Sequence, residues 1–189
     1  PGVFNAEDTP VPETGSGRLV KQSTSPADTD GNEYYTLANA EYTVYADEQL
    51  IQSVGVLTTD ENGTSNTLEL DPGTYYVKET KAPAGYEEDE TIHTMIVQSG
   101  KTAVLKVQDV YVPAYVTLKK VSTDPEITDE NDRYSLAGAE YGVYSDKGCT
   151  AKVGLLTAEA DGGSNTLTLP AGTYYAKESK APSGYRLNT

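Results

Sequence analysis

Cysteine occurs once in the 189 residues, as Cys149, so no disulfide can form within the chain. A long extracellular β protein without disulfides must find its reinforcement elsewhere. Histidine also occurs once, as His93, without a ligand cluster around it, and neither metal nor cofactor is expected. Basic residues are scarce: 14 Lys and Arg against 29 Asp and Glu give a net charge of −15. Nucleic-acid phosphates and anionic membrane surfaces would be repelled, which excludes both as partners. No membrane-length apolar run, leader or lipid-attachment motif is present. The chain opens at Pro1 instead of Met, as expected of a fragment or a processed piece. Tryptophan is absent, and apolar residues are rarely spaced i, i+3, i+4, i+7, which argues against long helices.

What the chain does have is tyrosine, 15 of them, and a repeat. Residues 21–86 align on 120–185 without a gap at an offset of 99, with 37 of 66 positions identical. "LANAEYTVY" (37–45) falls on "LAGAEYGVY" (136–144), and "YYVKETKAPAGY" (75–86) on "YYAKESKAPSGY" (174–185). Segments such as "EYTVY" and "TYYVKE" alternate with period two, and "DENG", "DPG" and "APAG" punctuate them as turns. The reading is all-β: two tandem antiparallel sandwiches, the first of roughly seven strands. The first domain is assigned to 17–113. The second, 114–189, lacks counterparts of "TIHTMIVQ" (91–98) and "AVLKVQDVYV" (103–112). Residues 1–16 are read as the last strand of a preceding or partner domain plus a linker, because "VFNAEDTPVP" (3–12) aligns on "VLKVQDVYVP" (104–113). Some eleven residues are then missing from a complete two-domain period.

Strand parity singles out charged residues. Leu19 and Lys21 share a face, as do Val116, Leu118 and Lys120. So do Tyr75, Val77 and Glu79, and Leu105, Val107 and Asp109. A Lys, a Glu and an Asp are therefore directed inward on three strands of one domain, where charges are rare unless paired. One reading is a buried ion pair, or edge positions whose charged heads reach water. The other is chemical. Burial favours the neutral amine and the neutral carboxyl, which sets a nucleophile against an electrophile. A second carboxyl can carry protons and stabilise the developing charge.

These residues resemble a known family: the B-type (Cna-B, SpaA-like, prealbumin-like) domains of Gram-positive adhesins and sortase-assembled pilins. The likeness is carried by Lys in "RLVKQS" and "TLKKVS", by "LANAEY" and "LAGAEY", by the "KETKAPAGY" and "KESKAPSGY" boxes and by "VQDVYVP", in order along nearly the whole chain. It implies an isopeptide bond from Lys21 to Asp109 assisted by Glu79. In the second copy Lys120 and Glu178 match, and the acceptor is missing. It also implies an extracellular, cell-wall-attached location on a Gram-positive bacterium. The function implied is a structural stalk or pilin module, not an enzyme beyond one self-directed turnover. The alternative is an adhesin module that binds host protein or glycan. Neighbouring copies or domains of the same surface protein are the expected partners.

Asp8 has a strand without a domain, and Lys120 a domain without that strand. Either the strand of one chain completes the second domain of another, with Asp8 joined to Lys120, or the boundaries are those of a fragment. "VPETG" (11–15) looks like a sorting signal with Val for Leu, but with no hydrophobic tail it reads as a linker. "DTDGNE" (28–33) and "DPEITDEND" (124–132) read as solvated acidic loops, Cys149 and His93 as structural, and "NGT" (62–64) as a turn.

Overall fold

The structure, a computed structural model, describes residues 13–188. The chain divides between Val112 and Pro113 into two compact units. Both are all-β. Among the described residues helix is confined to the four-residue turns α1 (Pro26–Thr29), which runs into the first acidic segment, and α2 (Pro125–Thr128), inside the second, each opened by a proline.

The first unit contains β1 (Gly15–Ser23), β2 (Glu41–Tyr45), β3 (Ser53–Thr58), β4 (Leu68–Leu70), β5 (Gly73–Lys81), β6 (Ile92–Val97) and β7 (Thr102–Asp109). They form two sheets, ordered β4-β1-β7 and β3-β2-β5-β6. The sandwich is not antiparallel throughout, contrary to the expectation from sequence: the first and last strands lie side by side and parallel, from Ser16 opposite Thr102 to Ser23 opposite Asp109. Such a parallel neighbour needs a long crossover, and nearly the whole domain supplies it. Between the sheets lies a core of Leu19, Tyr42, Val44, Leu57, Leu70, Tyr75, Val77, Met95, Val97 and Val107. β1 alternates strictly between inward and outward residues, as its parity requires.

β1 begins at Gly15, so the last residue of "VPETG" is strand. Glu13 and Thr14 lie against the β6–β7 turn: the Glu13 carbonyl accepts from Ser99 and the Thr14 carbonyl from the Gly100 N–H. These three residues belong to the first sandwich, where a linker is expected from sequence.

The second unit contains β8 (Ala114–Val116), β9 (Glu140–Tyr144), β10 (Lys152–Thr157), β11 (Leu167–Leu169) and β12 (Tyr175–Lys180). Its sheets are β11-β8 and β10-β9-β12. Their pairings repeat those of the first unit residue for residue: Leu167 faces Val116 as Leu68 faces Gly17. β8 stops at Val116, whereas β1 runs on to Ser23. No described strand lies beside the second unit's 117–122 as β7 lies beside β1, so this stretch lacks the ladder that defines a strand. Leu118 and Lys120 are accordingly half-buried, where Leu19 and Lys21 are fully buried.

Candidate functional site

The site of the first unit is built from both layers. β1 and β7 bring Lys21 and Asp109 from one sheet. β2 and β5 bring Tyr42 and Glu79, paired opposite each other, from the other. Each points inward because it continues the parity of a buried apolar set: Leu19 before Lys21, Val77 before Glu79, Val107 before Asp109. The three ionisable side chains predicted from parity meet, and all three are 0% exposed.

Lys21 Nζ donates to Glu79 Oε1 at 2.7 Å and to the Tyr42 hydroxyl at 2.7 Å, and it forms an ion pair with Asp109 Oδ2. The Tyr42 ring also lies under the ammonium, 4.9 Å from its centroid. Glu79 Oε2 accepts the main-chain N–H of Asp89 at 2.6 Å. Apart from the ion pair with Lys21, neither oxygen of this buried Asp109 carboxyl has a hydrogen-bond partner among the described residues. Burial pushes the Asp109 carboxyl above its ordinary range, and the charges of Glu79 and Asp89 push the same way against the pull of Lys21. Burial likewise pushes the Tyr42 hydroxyl up, with Asp109 and Glu79 adding to it, so Tyr42 stays a neutral phenol.

Two ionic partners for one ammonium leave an excess negative charge in a dry site. A dry site penalises an ion pair more than a neutral amine and carboxylic acid. Nζ of Lys21 lies against the Asp109 carboxyl, with Glu79 in hydrogen-bond reach of the same nitrogen.

Tyr42 was not singled out by charge and parity. Its signal is nonetheless in the sequence, since "LANAEY" and "LAGAEY" both keep the tyrosine and "EYTVY" alternates so that Tyr42 and Val44 point inward. Asp89 was unreadable, because its bond comes from the main chain of a loop.

Among the described residues the second unit repeats the Lys, Tyr and Glu of this arrangement without a counterpart of Asp109. Lys120 Nζ donates to Glu178 Oε1 at 2.8 Å and to the Tyr141 hydroxyl at 2.9 Å, with the Tyr141 ring 5.2 Å away. Glu178 Oε2 accepts the Asn188 N–H at 2.6 Å, as Glu79 accepts that of Asp89. The Lys120 side chain is 12% exposed and that of Glu178 1%. Asp8 lies outside the described residues, and nothing is stated of its position. Among the described residues no cluster of three or more His, Cys, Asp and Glu side chains is placed to hold a metal ion. His93 contacts Asp89, and Cys149 is a half-buried free thiol in the left-handed conformation that its counterpart Leu50 also adopts.

The prealbumin-like fold domain of the SpaA type matches this chain twice, over residues 23–111 and 116–189. The chain belongs to that family. Among solved structures, the Bacillus anthracis TIE protein is similar at 27% identity and a TM-score of 0.64, over 93% of this chain and 30% of its own. The chain thus spans about a third of that protein's length. A C-terminal fragment of the pilus adhesin SpaC from Lactobacillus rhamnosus GG is similar at 19% identity and a TM-score of 0.44, over 94% of this chain and 79% of the fragment. BcpA, the major pilin subunit of Bacillus cereus, is similar at 14% identity and a TM-score of 0.43, over 94% of both chains. No curated protein matches.

Proposed function

We propose that the chain is a structural module of a Gram-positive cell-surface stalk or pilus whose first domain locks itself with a Lys21–Asp109 isopeptide bond. The observation that carries this reading is the meeting of Lys21, Glu79 and Asp109 in one fully buried cluster between the sheets. Nζ of Lys21 attacks Cγ of Asp109, a C–N bond forms, a C–O bond breaks, and the hydroxyl leaves with an amine proton as water. Glu79 takes the proton from the nitrogen and returns it to the leaving oxygen. Tyr42 holds the nitrogen in line, and enclosure by the two sheets excludes competing water.

The product joins the first strand to the last. By analogy with disulfides, closing a loop this long removes about 4–5 kcal/mol of chain entropy from the unfolded state. Tension entering through β1 and leaving through β7 would pass along covalent bonds. An amide needs no oxidising compartment, which suits a chain with one cysteine.

Intact mass spectrometry tests the reading. The folded chain is expected about 18 Da below its sequence mass for each bond formed. Lys21→Ala and Glu79→Ala are expected to restore the first domain's lost water. A parent chain at its full sequence mass refutes the bond.

A second reading concerns joining between chains. Lys120, Tyr141 and Glu178 repeat the reactive geometry beside an edge where no described strand pairs. A strand with the pattern of 104–113 would fit that edge in the register β7 uses, and residues 3–12 carry this pattern with Asp8 in the acceptor position.

A further inference from the structure

The reaction proposed above requires Glu79 in one orientation, since it must serve Lys21 and the leaving oxygen of Asp109 in turn. Its Oε1 is held by Lys21. Its Oε2 is held by the Asp89 N–H at 2.6 Å, and that donor sits in the irregular stretch 82–91 between β5 and β6. A donor on a loop is only as fixed as the loop. Here the Asp89 side chain does the fixing. Its Oδ1 accepts the Thr91 N–H at 2.9 Å, and its Oδ2 meets His93 Nε2 at 2.7 Å. His93 lies on β6 opposite Val77, two residues before Glu79 on β5. Both side chains are largely enclosed, Asp89 at 16% exposure and His93 at 21%.

We propose that Asp89, clamped to β6 by His93, is the positioning residue for amide formation in the first domain, holding Glu79 in its reactive orientation through the main-chain N–H. The inference rests on the isopeptide reading and adds two residues that touch neither reacting atom. The second domain supplies the comparison. Asn188 gives Glu178 the same N–H at the same 2.6 Å, but it has no carboxylate to be clamped. The first domain thus carries a negative charge beside the acceptor as well as the donor. That charge acts in the same direction as burial on the Asp109 carboxyl, toward the protonated acid that can lose its hydroxyl as water.

The test separates folding from bond formation. The full chain is produced as inclusion bodies, so that it enters denaturant unfolded and at its full sequence mass; on dilution, near-ultraviolet circular dichroism of the tyrosines follows folding and intact mass follows water loss in the same sample. His93→Phe keeps a ring and removes the hydrogen bond, Asp89→Asn removes the charge, and His93→Gln can still donate to Asp89. His93→Phe and Asp89→Asn are expected to fold like the parent and lose water about ten-fold more slowly or worse, the scale on which partners of a reacting group act. His93→Gln is expected to close within about three-fold of the parent, on the same scale. Equal closure rates in His93→Phe and His93→Gln overturn the inference, even if Asp89→Asn does not fold. A parent that loses no water overturns the isopeptide reading itself, a result distinct from parent and variants closing alike.

Discussion

Glu79 and Glu178 occupy the same position in two copies of one box, and their surroundings differ by two carboxyls: Asp109, and Asp89 where the second copy has Asn188. In the first domain Lys21 stands between two acids. In the second, Lys120 has Glu178 and the Tyr141 hydroxyl as its described hydrogen-bond partners, and Lys120 and Glu178 form a largely buried salt bridge. Burial alone would raise the Glu178 carboxyl, but the Lys120 hydrogen bond and the Asn188 N–H outweigh it and hold the group below its ordinary range. Burial alone would lower Lys120, but its bonds to Glu178 and Tyr141 outweigh it and hold the amine above its ordinary range. The signs set opposite limits. A depressed carboxyl stabilises the fold above the unfolded carboxyl's range, and that stability is lost as pH falls through the folded value. A raised amine stabilises below the unfolded lysine's range, and that stability is lost as pH rises through the folded value. The second domain is therefore expected to hold a stability plateau across neutral pH that falls at both ends. Glu178→Gln should lower the plateau by about 1–3 kcal/mol and flatten its acid limb. Urea unfolding of the second domain against pH measures both.

Among the elements, the turn from β3 to β4 is tied to the lysine strand. The Gly63 carbonyl accepts the Lys21 N–H at 2.8 Å, and Gly63 stands at φ +72°, where side chains are strained. A Cβ there would collide with the Lys21 carbonyl. Gly162 repeats the position at φ +83° against the Lys120 carbonyl. The glycine lets a turn lie flat on the backbone of the residue that must be aimed. Gly63→Ala is expected to cost about 1–3 kcal/mol. Read as thermal unfolding of the first domain, that is a fall of roughly 4–8 °C for each kcal/mol. Gly31→Ala, also at positive φ but with open space around its Cβ, separates conformational strain from the collision.

For the whole molecule the question is what completes each sandwich. Among the described residues the first has seven strands and a fully buried cluster; the second has five strands and a lysine side chain that is 12% exposed. If chains join through residues 3–12, the contact is heterologous and propagates as a linear fibre. Denaturing gel electrophoresis of concentrated protein is then expected to give a ladder of covalent multimers, and Asp8→Ala or Lys120→Ala should collapse it to the monomer band. A clean monomer band from the parent chain would refute the joining.

Alternation along single strands was enough to direct Lys21, Glu79 and Asp109 inward, because strand parity is a local property of the backbone and needs no partner to be read. The repeat marked Lys120 and Glu178 in the same way, and the turn residues at "DENG" and "DPG" divided the strands. Three features depended on the tertiary structure. The parallel pairing of β1 with β7 joins residues some ninety positions apart, and it places Lys21 against Asp109 instead of merely on the same side of a sheet. The Tyr42–Glu79 register across β2 and β5 brings in the Tyr42 hydroxyl, a hydrogen-bond partner of Lys21 that charge and parity do not pick out. The Asp89 N–H, carried on an irregular loop and held by His93, has no period to read, since a main-chain donor is set by the path of the chain and not by the identity of its side chain.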